Sequence, residues 1–291
     1  MSTLWQNIQQ KMLRSGNNIS LLIGINVIVF LAVNIPAVFE YLLTGAGHVS
    51  MVALFTEKYI NLPANLHVLP YRFWTPLSYM FMHAGVLHIL FNMLWLYWMG
   101  QIFEEYLGNK RTIGLYLMGG FAGALFYILA FNLLPAFTSV NAAEQSTIVG
   151  ASASVMAIVV ATATLLPNYT ISLILIGPVK LKWLVFFILV LDFLGIAGGN
   201  AGGEIAHLGG ALMGFIYIKQ LQKGNDWVGG IAKLFKAKPK LKVVSNNLGK
   251  NSSDYPRQDE IDRILDKINQ SGKGSLTKQE LETLKRASKQ D

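Results

Sequence analysis

The chain has no cysteine among its 291 residues. Disulfides, a thiol nucleophile and thiolate-held metals are therefore excluded together. Charge is also scarce: Asp, Glu, Lys and Arg make up 14% of the chain, against about 25% in ordinary soluble domains. The deficit is uneven. Between 19 and 218 charge is sparse, while most Lys and Arg fall in the first 18 residues and from Lys219 onward. With 53% hydrophobic residues and a mean hydropathy of +0.42, this pattern predicts a polytopic membrane core with a basic tail. Nothing in the first 18 residues resembles a cleavable signal, and they read as a short basic amphipathic segment. The net charge of +8 does not point to nucleic acid, because the lysines flank apolar runs and fill a tail, where anionic lipid headgroups account for them.

A helix needs roughly 20 apolar residues to cross the hydrocarbon core. Runs near that length occur at 19–43, 87–102, 112–134, 148–166, 183–194 and 205–218. The fifth is preceded by the apolar stretch "ISLILIGPV" and interrupted by "GPVKLK", which sets its span from 182 to about 195. Six spans are expected. Lys11 and Arg14, Lys110 and Arg111, Lys180 and Lys182, and Lys219 and Lys223 lie on one side. The loops "LPAFTSVNAAEQS" and "GIAGGNAGGE" on the other side contain no Lys or Arg. Both termini are then cytoplasmic. The long first outer loop, about 44–82, carries Lys58 and Arg72 without reversing that bias.

In this orientation the second, fourth and sixth spans enter from the outer side. His83, His88 and Asn92 near the start of the second, Ser152 near the start of the fourth and His207 near the start of the sixth come to one depth. A membrane serine commonly packs or bonds a carbonyl one turn back, and "GASA" fits close helix packing as well as it fits a nucleophile; Ser154 and Thr162 read as packing. His207 is different, since an ionisable side chain inside a span suggests function by default. Gly203, His207, Gly210 and Gly214 recur at three or four residues, one helical face. An imidazole on a helix that packs closely can activate a hydroxyl. His88 and Asn92, four apart, can each donate an N–H to a developing oxyanion. Asn92 also reads as an interhelical bond and His83 as an interfacial residue. Of two acids that could complete a triad, Glu204 is expected in the loop and Asp192 as an interfacial or interhelical polar residue, so a Ser–His pair is the expected machinery.

These residues resemble the rhomboid family of intramembrane serine proteases, from about Tyr71 to Gly214. Gly150-Ala151-Ser152 matches the family's Gly-x-Ser-Gly motif, with Ala153 in its last place. Ala206-His207-Leu208-Gly209-Gly210 matches the histidine motif, and His83, His88 and Asn92 match His-x4-His-x3-Asn. Arg72 matches the Arg of a Trp-Arg motif, after Tyr71 rather than Trp, and Gly100, Glu104 and Gly108 match a Gly-x-x-x-Glu run with a later glycine. The resemblance implies a six-helix, all-α bundle and an endopeptidase that cuts transmembrane proteins in or beside their spans. Ser152 would be the nucleophile and His207 the base, without an acid. His88, Asn92 and the Ser152 backbone N–H would form the oxyanion site; Arg72, Glu104, Gly150 and Gly210 would be structural supports. No metal or cofactor is implied. Substrates would enter past the fifth span, beneath a mobile glycine-rich cap, "GIAGGNAGG". Ala153 is tolerable there in a helical backbone but could narrow the site, and Met156, where the family often has an aromatic, would hold the imidazole less rigidly.

Beyond the core, "VGGIAKLFKAKPKLKV" is expected to lie on a membrane surface, and "SNNLGKNSSDYP" to be a linker. Apolar residues at Ile261, Ile264, Leu265 and Ile268 predict one helix, and Thr277 with Glu280 a capping box opening another. "NQSGKGSLTKQE" has the length of a calcium loop but lacks the first acid and carries Lys273 at a ligand position, so it reads as a non-binding turn. The expected organisation is 1–18 cytoplasmic, 19–220 membrane domain, 221–256 basic linker and 257–291 a small cytosolic helical hairpin with a possible partner of its own. The chain's compactness and bare termini suggest a bacterial inner-membrane protein. Two other functions fit less well: a silent relative that binds membrane helices, against which Ser152 and His207 both stand intact, and a small transporter, for which internal repeats and paired midplane charges are lacking.

Overall fold

The computed structural model describes residues 18–45, 47–173, 176–229 and 256–288. The segments expected at 1–17, and most of the surface stretch and linker between 230 and 255, lie outside the described residues. The chain divides into two units at residues 236 and 237.

The first unit is built on six long helices: α1 (Asn18–Thr44), α3 (Val86–Leu107), α4 (Thr112–Leu133), α5 (Ser152–Leu165), α6 (Leu181–Gly195) and α7 (Ala201–Gln222), with α2 (Met51–Tyr59) on the connection after α1. Three stretches, Asn18–Thr44, Val86–Leu107 and Asn109–Leu133, are long and apolar enough to cross a bilayer, so the protein is a multi-pass, all-α membrane protein. Apolar side chains that a soluble protein would hide face outward, among them Ile28, Phe39, Trp183, Phe186 and Phe193. Lipid is the solvent that suits them.

At 14 residues, α5 is shorter than the expected fourth span. Residues 147 and 148 form not helix but a two-residue strand, β2 (Thr147–Ile148), antiparallel to β1 (Leu62–Pro63). The apolar stretch upstream of the fifth span likewise turns back as a hairpin, β3 (Thr170–Leu173) against β4 (Gly177–Lys180). The helix then opens at Leu181, one residue from its expected start.

The centre is α5, packed by α7, α4 and α3. Every residue from 153 to 163 is buried except Met156, as a helix apolar all round should be. Small residues allow that approach. A Cβ on Gly210 would collide with the Ala153 carbonyl, and one on Gly214 with the Ala157 carbonyl. This is the close seam expected from their spacing, although Gly203 instead abuts the Asn200 side chain of its own turn. Buried tyrosines find partners: Tyr79 donates to the Gly120 carbonyl at 2.6 Å, and Tyr116 to the Met80 carbonyl at 2.9 Å. After α7 the chain folds back. Asp226 pairs with Arg111 at 2.8 Å and accepts from Tyr217 and the Gly229 N–H, while Val228 is buried against Gly114.

The second unit is the expected hairpin, α8 (Gln258–Ser271) and α9 (Lys278–Ala287). Thr277 and Glu280 form the capping box, and Lys267 reaches both Glu280 oxygens at 2.9 Å.

Candidate active site

A cavity of about 630 Å³ opens between α3, α5, α6 and α7, and its lining includes Ser152, His207, His88 and Asn92. Four polar residues separated by up to 119 positions thus share one chamber whose remaining wall is largely apolar. Three of the four lie close to the start of a helix. Ser152 is the first residue of α5, His88 the third of α3, and His207 lies in the second turn of α7.

Gly150 sets the spacing. It sits at φ +143°, and a Cβ there would lie 3.1 Å from His88 Nε2 and 3.2 Å from Ser152 Oγ. Only glycine satisfies both the backbone angle and the squeeze. Its N–H donates to the Tyr79 carbonyl at 3.0 Å, tying the turn before Ser152 to the buried segment ahead of α3.

His88 has a determined proton. The Ala84 N–H donates to its Nδ1 at 3.3 Å, so in the neutral ring Nε2 carries the hydrogen and is a donor on the Ser152 side. Asn92 spends one N–H on the His88 carbonyl at 2.9 Å and keeps the other. Its bond is therefore within its own helix rather than between helices. His83, for which a place near headgroups was one of two readings, is buried within the protein at 5% exposure, edge-on to His88 with ring centres 5.2 Å apart.

Ser152 and His207 share the cavity, but among the described residues no hydrogen bond joins them; such bonds often tighten only when substrate is bound. Two acids make polar contacts with His207 at its Nδ1. Asp192 Oδ1 is 3.4 Å and Glu204 Oε2 3.5 Å from Nδ1. Glu204 belongs to the first turn of α7, not to a loop, and Asp192 takes the interhelical of its two expected places, facing His207 of α7. One atom from each of these three side chains falls within 4.8 Å of the others, a spacing a cation could also span. The spacing Glu204–His207 is i, i+3, so their shared face was readable from the sequence; the rotation of α6 that brings in Asp192 was not.

Two further readings are narrowed, the first to the tolerable alternative, since Ala153 is helical. Ala153 is absent from the cavity wall; its Cβ faces Gly123 of α4, so it does not narrow the site. The glycine-rich cap is reduced to residues 196–200, because 201–203 are already helix; Asn200 lines the cavity. Met156 lines it as well. Of the expected supports, Glu104 accepts from Thr112 at 2.8 Å, and Gly210 lies in the α5–α7 seam. Arg72 lines a separate cavity of about 840 Å³ with Lys58 and Glu144, sharing only Thr147 with the first.

Residues 70–223, more than half of the chain, match the Rhomboid domain family. The chain belongs to the rhomboid family. Its rhomboid domain is 31% identical over 161 residues to RHOMBOID-like protein 12, mitochondrial, of Arabidopsis thaliana, covering 53% of this chain and 48% of that one. Against RHOMBOID-like protein 1 of the same plant the identity is 31% over 177 residues, 59% of this chain and 41% of that one. A shorter stretch of 46 residues is 39% identical to the Rhomboid protease GlpG of Salmonella newport, covering 16% and 17%. The chain thus spans less than half the length of these relatives. Residues 251–290 match a family of unknown function, DUF6576.

Proposed function

We propose that this rhomboid is an intramembrane serine endopeptidase that cleaves transmembrane proteins in or next to their membrane-spanning segments. The carrying observation is that Ser152 and His207, from separate helices, line one cavity with His88 and Asn92. Ser152 attacks the scissile carbonyl and gives its proton to His207. His88 Nε2–H, the free Asn92 N–H and the Ser152 backbone N–H stabilise the oxyanion. His207 then protonates the leaving amine, and water repeats the sequence to release the acyl group. Arg72, Glu104, Gly150 and Gly210 support the frame.

Substrate helices reach the site past α6, which buries only Leu181 and Val185 and so can shift at small cost. A substrate must unwind there to present its carbonyl, which favours small or helix-breaking residues at the cut. All six long helices span the bilayer in this reading, with both termini cytoplasmic in a bacterial inner membrane. Lipid, not nucleic acid, is the other partner, and the DUF6576 hairpin is a cytosolic module for a partner of its own. The test is cleavage of a fluorescent membrane-helix substrate in detergent, with fluorophosphonate labelling in parallel. The parent should cut and carry the adduct on Ser152; a Ser152→Ala protein that cuts as fast as the parent ends the proposal.

A further inference from the structure

Two acids from different helices converge on one nitrogen of His207. Asp192 comes from α6 and Glu204 from the turn of α7 before the histidine, at 3.4 and 3.5 Å from Nδ1. The three side chains are only 12–20% exposed. Among the described residues neither His207 Nδ1 nor Asp192 Oδ2 has a hydrogen-bond partner within bonding distance, and both atoms are buried. Both carboxylates stop a few tenths of an ångström beyond a good N–H···O bond, so a small turn of the ring or of either acid closes one. A carboxylate left unpaired in a membrane interior is costly; the imidazole N–H is within reach of both acids, and the Asn200 side chain is a further donor to Glu204.

The wall of the same cavity carries, with Asp192 and His207, the Ser152 hydroxyl on α5 and the His88 and Asn92 side chains on α3. The two nitrogens of an imidazole point to different edges. A ring whose Nδ1 is turned to Asp192 and Glu204 directs Nε2 away from them.

We propose that Asp192 and Glu204 are positioning residues for His207, jointly holding a proton on Nδ1 so that Nε2 is left as the lone-pair base. This rests on the protease reading of the same cavity and replaces its unaided Ser–His pair. The step balances as follows. The Ser152 Oγ–H bond breaks as its proton passes to Nε2, Oγ bonds the scissile carbon, and the carbonyl electron pair moves onto oxygen. The ring, now protonated on both nitrogens, lies against the carboxylates, which keep their own charge and take no proton. Nε2–H is then returned to the amine nitrogen as the carbon–nitrogen bond breaks. Because either acid reaches the same nitrogen, they act redundantly.

That redundancy is the signature to measure on the full chain in detergent micelles. D192N and E204Q preserve shape and remove one acceptor each. Each alone should lower kcat by roughly tenfold or less, and the double variant by roughly 10² to 10³, since loss of an orienting carboxylate costs catalysis without costing substrate binding. KM should stay within about twofold, and D192E should keep most of the parent's kcat. The chain holds five histidines, so ¹⁵N-histidine spectra are tractable, with His207 assigned by its loss in H207A. The parent should show the proton on Nδ1, and D192N/E204Q should move it toward Nε2. A double variant with the parent's kcat, or with an unchanged His207 spectrum, overturns the proposal. The two readings fail separately: a parent that does not cut removes the protease reading, while the His207 spectrum still decides whether the acids hold the ring.

Discussion

Gly150 and Ala153 frame the candidate nucleophile in opposite ways. At φ +143°, with His88 Nε2 and Ser152 Oγ only 3.1 and 3.2 Å from where its Cβ would sit, closer than ordinary van der Waals contact, Gly150 has no room for change. G150A adds backbone strain of about 1–3 kcal/mol and pushes the ring and hydroxyl apart. Fluorophosphonate labelling of Ser152 should fall at least about tenfold, with a lowered melting temperature in the same detergent. Ala153, by contrast, points at Gly123, so the glycine familiar from the family's motif offers this chain nothing at the site. A153G should leave cleavage within about twofold and cost about 0.5–1 kcal/mol through helix entropy; a large gain in turnover would mean that Ala153 does restrict the cavity.

At the scale of elements, the seam between α5 and α7 sets the distance between Ser152 and His207. Gly210 lies against the Ala153 carbonyl, backbone that cannot yield as a side chain would. G210A should therefore separate the helices, costing about 1–3 kcal/mol and most of the activity, whereas a change on the outward face of α7, such as Phe215→Leu, should do neither. The hairpin gives a pH test. The Thr277 backbone N–H, the Lys267 ammonium and the Thr277 hydroxyl hold the Glu280 carboxyl down at about 2. A depressed carboxylate contributes stability that is present above the unfolded value and lost as pH falls through the folded one. The Thr277 and Glu280 amide shifts should accordingly titrate near pH 2 rather than in the usual carboxylate range, and E280Q should abolish that titration.

The elements also mark where sequence reasoning stops. Lipid imposes composition on whole segments, so the long helices, the boundary near Leu181 and the glycine seam were all legible. The pairing of Leu62–Pro63 with Thr147–Ile148 was not, because two residues carry no period and their partners are 86 and 84 positions away. The run "ISLILIGPV" is apolar enough for a span or a strand, and periodicity alone does not separate them; Gly177 at φ +85° is what turns it back as a hairpin. In the site, common depth foretold that Ser152, His207, His88 and Asn92 would meet. It said nothing of which way Asp192 faces, since that depends on how α6 is rotated against α7.

For the whole molecule, the absence of cysteine becomes an asset, because any cysteine introduced is the only one present. Lys110 lies between α3 and α4 and Asn168 between α5 and α6, while Ser139 lies between α4 and α5; all three are exposed. The proposed topology, with Arg111, Lys180 and Lys182 held on one side, puts Lys110 and Asn168 on the cytoplasmic face and Ser139 on the opposite one. The site follows the same geometry: Ser152 opens α5 from the side of Ser139, so the chemistry should take place toward the outer leaflet. In intact cells a membrane-impermeant maleimide should label S139C and spare K110C and N168C, and inverted vesicles should reverse the pattern. Labelling of N168C together with S139C from one side would mean that α5, 14 residues long, does not cross. Ser152 would then have to meet its substrate from the other leaflet.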